Sequence, residues 1–87
     1  MMIFSIYDEK AEVYNTPFFQ GTVGMALRSF QELVRDNESM LFKYPEDYTL
    51  YCIGEYNEKT GEIIANTPPS FIARATEYTP KKPTDEA

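Results

Sequence analysis

The sequence has no histidine, no tryptophan and only one cysteine in 87 residues. The single cysteine, Cys52, excludes an intrachain disulfide, and a zinc site needs more cysteine or histidine ligands than this chain offers. General acid–base catalysis at neutral pH most often uses histidine. We also find no phosphate-binding glycine loop and no nucleophile paired with a histidine. The sequence therefore predicts a protein without enzymatic activity and without a metal or other cofactor.

Long apolar runs and positive charge are also scarce. No apolar segment approaches the ~20 residues of a membrane-spanning helix, and the N-terminus lacks the basic start and cleavage site of a signal peptide. We therefore expect no membrane partner and an intracellular location. The 14 acidic residues outnumber the 8 basic ones, for a net charge of −6. Because nucleic-acid affinity comes mainly from neutralised phosphates, this charge disfavours loose DNA binding and leaves only a local basic patch as a possibility.

The chain does contain aromatic and β-branched residues in strand-like runs. Its 7 tyrosines and 6 phenylalanines are expected to form the core of one small domain. Met2 to Tyr7 is largely apolar on both sides, which predicts a central strand. Tyr48 to Ile64 predicts a β-hairpin, because an aromatic and β-branched run precedes the turn Asn57 to Gly61. Gly61 is expected to adopt the left-handed conformation there.

The clearest helix lies between Gly21 and Asn37. Its apolar residues recur at the intervals of an amphipathic helix, and they are Val23, Leu27, Phe30 and Val34. Thr22 is the expected N-cap, and Asn37 is expected to end the helix in the left-handed conformation. Residues 38–44 predict one further helical turn, which Pro45 ends.

The remaining segments are less regular. Residues 11–14 and 18–19 suit short strands, although a loop and an apolar plug are the respective alternatives. Residues 66–70 predict a rigid polar linker, because two prolines stand among polar side chains. Residues 71–78 fit a short helix or a strand, with a weak preference for the helix.

These elements predict a single α+β domain over residues 1–78 and a disordered tail over residues 79–87. In this fold, one main amphipathic helix packs on one face of a small antiparallel sheet. A single helix leaves the second apolar face of the sheet uncovered. The residues favour a homodimer, in which a second copy covers that face about a two-fold axis. The candidate interface residues are Leu50, Cys52 and Tyr56.

Single-stranded nucleic acid is the alternative cover for the second face. Proteins that bind it stack bases on exposed aromatic rings beside arginine and lysine. The candidate nucleic-acid-binding residues are Arg28, Arg35, Lys43, Tyr51 and Arg74. The net negative charge opposes this interpretation, whereas the tyrosine content favours it. The residues therefore allow either a second copy or single-stranded nucleic acid on this face.

Several segments of the chain, taken in order, resemble one known family. They are Ile3 to Glu12, Pro17-Phe18-Phe19, Gly24 to Phe30, Tyr44 to Tyr51, Ile53 to Tyr56, Thr60-Gly61 and Thr67-Pro68-Pro69. The chain thereby resembles the small nonstructural protein of gokushovirus-type microviruses, the phage open-reading-frame-five protein. The resemblance covers about Ile3 to Tyr78, and its most specific part is the run from Pro45 to Glu55.

The resemblance implies an accessory protein of a single-stranded DNA bacteriophage. Such a protein is absent from the mature capsid and acts in the cytoplasm of the host bacterium. The family is regarded as the counterpart of the microvirus C protein, which favours the switch from duplex replication to single-strand synthesis and packaging. A DNA-binding label is often attached to it, and it has no catalytic residues to transfer. The implied partner is therefore viral single-stranded DNA or, alternatively, a host or viral replication protein.

Overall fold

The computed structural model describes residues 1–80, so most of the predicted tail, residues 79–87, lies outside the described residues. Five strands form one sheet, and they are β1 (Met2–Asp8), β2 (Val13–Tyr14), β3 (Phe18–Gln20), β4 (Tyr48–Tyr56) and β5 (Ile63–Arg74). The helices are α1 (Val23–Arg35) and α2 (Met40–Lys43), with 3₁₀ turns at Pro45–Asp47 and Ala75–Tyr78. The expected α+β class is confirmed.

The sheet is antiparallel, and β1 lies inside it, as its apolar pattern predicts. β4 pairs with one edge of β1 and with β5, which forms an outer edge of the sheet. β2 and β3 share the other edge of β1, where β3 pairs with its first half and β2 with its end. Residues 11–14 and 18–19 therefore contribute short strands.

The core lies between the sheet and helix α1. The stripe predicted from the helical spacing supplies Phe30 and Val34, both with 0% exposure. The core residues outside α1 come from the strands, from α2 and from the last 3₁₀ turn, and they are Phe4, Ile6, Leu41, Tyr48, Leu50, Cys52, Ala73 and Ala75. A fully buried Phe or Leu side chain contributes about 1.5–3 kcal/mol to folding. This face of the sheet is therefore where the stability of the domain is concentrated.

Helix α1 begins as predicted and ends differently. The Met25 amide donates to the Thr22 hydroxyl at 3.2 Å, which confirms the N-cap. The helix ends at Arg35, two residues before the expected left-handed Asn37, because Asp36 takes an extended conformation with φ −82° and ψ 109°. The Asp36 side chain accepts the Glu38 amide at 2.9 Å, and the Ser39 hydroxyl donates to the Leu33 carbonyl. The Leu33 carbonyl at the helix end also accepts the Asp36 amide at 3.3 Å, so it is satisfied without a left-handed residue.

The turn of the long hairpin has the predicted chemistry. Gly61 has φ +77°, and its amide donates to the Asn57 carbonyl at 2.8 Å. The Asn57 side chain accepts the amides of Lys59 and Thr60 at 2.9 and 3.3 Å. The turn therefore closes through asparagine capping and one left-handed glycine.

The prediction of a polar linker at residues 66–70 is wrong, because this segment belongs to β5. The register moves from Gly54 opposite Ala65 to Cys52 opposite Ser70, so the extra residues form a wide bulge. The Asn66 side-chain amide donates to the Cys52 carbonyl at 3.1 Å and anchors the bulge. Two prolines are tolerated there because β5 is an edge strand, in which one side of the backbone needs no partner.

The preference for a helix over residues 71–78 is correct only at its end. Residues 71–74 continue β5, and Ala75–Tyr78 forms a single 3₁₀ turn. Cross-strand pairing with β4 decides the outcome, since Ala73 lies opposite Leu50 in the core. Tertiary pairing therefore overrides the local helical preference of the alanines.

Candidate functional site

The face of the sheet opposite α1 is open in the part of the chain that the structure describes. Two rows of side chains cross this face from strand to strand. One row joins Tyr14, Tyr7, Thr49 and Arg74, and the next joins Ser5, Tyr51 and Phe71. Paired residues in an antiparallel sheet present their side chains on the same face. The open face therefore collects aromatic residues from four strands.

Four rings on this face touch one another, and we call them the aromatic cluster: Tyr7, Tyr14, Tyr51 and Phe71. The ring centroids of Tyr7 and Tyr14 are 4.8 Å apart, and Tyr51 lies 5.7 Å from Tyr14 and 6.5 Å from Tyr7. Phe71 continues the cluster, 6.3 Å from Tyr51. These separations fall in the range of favourable aromatic pairs. Tyr14 and Phe71 nevertheless remain 43% and 53% exposed, so the cluster presents ring surface to solvent.

A buried serine holds one side of the aromatic cluster in place. Ser5 is 0% exposed, and its hydroxyl donates to the Asn15 carbonyl at 2.6 Å. The Asn15 amide in turn donates to the Ile6 carbonyl at 2.8 Å. These two bonds fasten β2 against β1 and so fix the backbone that carries Tyr14. Partial burial, followed by the neighbouring Tyr51 and Tyr7, raises the pKa of the Tyr14 hydroxyl.

Arg74 adds a positive charge to the aromatic cluster. Its guanidinium carbon lies 5.9 Å from the centroid of the Phe71 ring, within the range of a cation–π contact. The Arg74 amide donates to the Glu77 carboxylate at 3.0 Å, which fixes the start of the following 3₁₀ turn. The open face therefore combines contiguous aromatic surface with one cation, which suits planar or π-rich ligands.

The structure separates the residues predicted to bind nucleic acid. Tyr51 and Arg74 lie together at the aromatic cluster. Arg28 and Arg35 belong to α1 and line a shallow depression on its outer side, and the Arg35 side chain donates to the Tyr78 carbonyl at 3.3 Å. Lys43 lies in α2. The five candidates thus do not form one site, and the outer side of α1 also carries Glu32 and Asp36 beside its arginines.

The predicted interface is corrected at Leu50 and Cys52. These side chains are 0% and 5% exposed in the core under α1, so no second copy contacts them on this surface. Cys52 is a free and buried cysteine. Tyr56 lies on the other face, 5.8 Å from the exposed ring of Phe19.

A β-bulge explains why Tyr56 does not share the face of Leu50. Phe4 lies opposite Cys52, whereas Ile3 lies opposite Gly54, so Ile53 is an additional residue in β4. One inserted residue reverses the alternation of all later side chains. Tyr56 therefore joins Phe19 and Ile63 in an apolar patch at the hairpin end of the open face. Ile63 is 64% exposed there.

Sequence reasoning missed Phe71, the most exposed ring of the aromatic cluster. The alternation of Phe71, Ala73 and Ala75 indicates a strand, but it would put Phe71 on the covered face with Ala73. The register shifts between the Leu50–Ala73 and Tyr51–Phe71 pairs, so Ile72 is an extra residue that moves Phe71 to the open face. Across residues 1–80, no group of three or more potential metal ligands comes together. No helix in the same range is long and apolar enough to cross a membrane.

The fold and the open face define a small α+β protein with an exposed aromatic sheet surface and no recognisable catalytic constellation in its described part. Its sequence matches the family model described as Phage ORF5 protein over residues 1–78. It is 37% identical over 67 residues to Protein ORF5 of Chlamydia phage 1, covering 72% of this chain and 70% of the relative. The chain therefore belongs to the Phage ORF5 family of nonstructural phage proteins, which confirms the resemblance. No solved structure matches it.

Proposed function

We propose that this protein is a non-enzymatic accessory factor of phage single-stranded DNA replication or genome packaging, and that it binds single-stranded DNA on the open sheet face in the host bacterial cytoplasm. One observation carries the proposal. Four aromatic side chains form a contiguous surface on a face that no described element covers, and Arg74 lies against the most exposed of them. Phage family membership supplies the biological context.

The physical basis is base stacking. Every base has a π-face, so stacking on aromatic side chains binds single strands with little dependence on sequence, and each stacked base contributes about 1–3 kcal/mol. Stacking also works when phosphate contacts are few. That feature matters here, because the net charge of −6 and the single arginine on this part of the face give weak phosphate attraction.

Titration of a fluorescently labelled 12-nucleotide single strand tests the proposal. We expect Phe71→Ala and Tyr51→Ala each to weaken binding about tenfold, within the range of stacking energies. Phe42→Ala is the matched control, since Phe42 is 38% exposed but lies in α2 away from the sheet face. Unchanged affinity in both cluster variants would refute the site, and absence of binding at ~50 mM salt would refute DNA binding itself.

Salt dependence adds an independent measure of the site. Each phosphate contact contributes about −0.7 to the slope of log K against log salt for single strands. Because Arg74 is the cation at the aromatic cluster, we expect a shallow slope of about −1. Arg74→Gln should flatten the slope further, whereas Arg28→Gln with Arg35→Gln should leave it nearly unchanged. A steep slope abolished by the α1 double variant would move the site to the helix.

A specific observation also favours a second function, a homodimeric interaction module that binds a host or viral replication protein without touching DNA. The apolar patch of Phe19, Tyr56 and Ile63 is exposed at the end of the same face, and the protein is acidic overall. Sedimentation equilibrium with and without Ile63→Glu distinguishes the two functions. A dimer that Ile63→Glu dissociates, in a protein that fails to bind DNA, would favour this second function.

A further inference from the structure

The open face ends in a small depression beside the aromatic cluster. Its volume is about 220 Å³. Drug-sized ligands occupy pockets of about 300–1,000 Å³, so this depression suits a single ring system. The residues that give it chemical character are Glu9, Glu46, Thr49, Tyr51, Phe71 and Arg74. Aromatic rings thus form part of its wall, and carboxylates form another part.

Local structure brings the two carboxylates to the same end of the face. Glu9 follows β1, and its amide donates to the Asp47 carbonyl at 2.8 Å. This bond joins the end of β1 to the 3₁₀ turn Pro45–Asp47, which carries Glu46. Thr49 lies between Tyr7 and Arg74 in the strand register, so it forms the floor beside the rings.

We propose that this depression accepts one unpaired nucleobase that carries an exocyclic amino group, and that Glu9 and Glu46 select it over thymine. The inference rests on the proposed function, because the strand must first bind at the aromatic cluster. Glu9 and Glu46 line the same depression as Tyr51, Phe71 and Arg74, so a base stacked on either ring is within the same small volume as the carboxylates.

Donor and acceptor chemistry sets the selectivity. An ionised carboxylate only accepts hydrogen bonds. Cytosine, adenine and guanine present amino groups that donate to it, and carboxylates are known partners of the cytosine amino group. Thymine and uracil present one N–H between two carbonyl oxygens, which face carboxylate oxygens unfavourably. The two carboxylates also disfavour a phosphate in the depression, so the base and not the backbone is the group that enters.

Paired oligonucleotides isolate the amino group. Binding of d(TC)6, d(TU)6 and dT12 is measured by fluorescence anisotropy at pH 7.5. Cytosine and uracil share one ring and differ only on its pairing edge, where cytosine has an amino group and an acceptor N3 and uracil has a carbonyl and an N3–H, so d(TU)6 is the matched control. We expect d(TC)6 to bind about fivefold more tightly than d(TU)6 or dT12, at the lower end of what one base contact supplies.

The double variant Glu9→Gln with Glu46→Gln completes the test. Both side chains are exposed, so the variant should keep the fold. Glutamine donates as well as accepts, so the preference for d(TC)6 should fall to about one while dT12 still binds. Equal affinity of the wild-type protein for d(TC)6 and d(TU)6, or a preference that survives the double variant, overturns the base pocket alone. Failure of all three oligonucleotides to bind overturns the proposed function instead.

Discussion

The two faces of the sheet are built from the same strands and differ in what covers them. On the covered face, Phe4 and Leu50 are 0% exposed beneath α1. On the open face, Phe71 and Tyr14 are 53% and 43% exposed although they belong to the same sheet. Alternating residues of a strand therefore serve two different environments. Aromatic residues occur on both faces, so aromatic content alone does not identify the core of this chain.

The open aromatic residues need an explanation other than stability. Partly exposed rings lose part of the benefit of burial, and contiguous apolar surface on a soluble protein usually marks an interaction site. The aromatic cluster gains some stability from its ring–ring contacts, about 0.5–1.5 kcal/mol for each pair. A ligand or partner that covers the rings would add further stability.

The largest loss of stability is expected for a core substitution, and comparing it with one on the open face tests the difference between the two faces. Phe30→Ala removes a ring that is 0% exposed and contacts Tyr78 edge-on at 6.3 Å. Urea unfolding should show a loss of about 3–5 kcal/mol, a large share of the stability of a small domain. Phe71→Ala is the matched open-face variant and should cost under about 1 kcal/mol. Similar costs at both positions would mean that the Phe71 ring is covered in solution, for example by a second copy.

A smaller loss of stability is expected for a substitution at Gly54, where β4 and β5 lie close together. A Cβ atom at Gly54 would lie 2.6 Å from the Ile64 carbonyl oxygen, so Gly54→Ala must push β4 and β5 apart. We expect a loss of about 2 kcal/mol, as in other overpacked sites. Gly21→Ala is the control, because nothing lies within 4 Å of a Cβ there. Equal stability of the two variants by urea unfolding would show that β5 yields easily at this point.

Local sequence rules predict several elements of this structure. The helical stripe of α1 and the strand from Met2 follow from residue spacing, and the turn follows from the left-handed Gly61. The chain departs from these rules where one strand carries extra residues. Neither the single-residue bulge at Ile53 nor the wide bulge around Asn66 leaves a periodic signal, since only pairing with another strand defines it.

The same bulges explain why the candidate site was only partly predictable. Tyr51 and Arg74 were predicted as site residues, and they do lie together. Strict alternation puts Phe71 on the face of Ala73 and Tyr56 on the face of Leu50. One extra residue in each strand, Ile72 in β5 and Ile53 in β4, moves both rings to the open face. The arginines of α1 were grouped with Tyr51 by charge alone, and the packing of α1 on the covered face puts them on the other side of the molecule.

The smallest expected effect concerns a tyrosine of the covered face. Tyr48 is 6% exposed and lies opposite Asp8 in the β1–β4 register. Burial, followed by the charge of the Asp8 carboxylate and a hydrogen bond to it, raises the pKa of the Tyr48 hydroxyl above its usual value of about 10. Tyr48→Phe removes the hydroxyl and its interaction with the Asp8 carboxylate, and should cost about 1 kcal/mol at neutral pH.

The pH dependence gives this variant a signature of its own. The unfolded chain ionises its tyrosines near pH ~10, while folded Tyr48 holds its proton to higher pH. The stabilisation from protonated Tyr48 is therefore complete below pH ~10 and is lost as the pH rises through the folded pKa. Urea unfolding between pH 7.5 and 11 should show a shallower alkaline decline in Tyr48→Phe than in the wild-type protein.

Tyr56→Phe on the open face should change stability at pH 7.5 by under about 0.5 kcal/mol. An unchanged alkaline decline in Tyr48→Phe would show that Tyr48 ionises alike in the folded and unfolded chains, and would remove one distinction between the two faces.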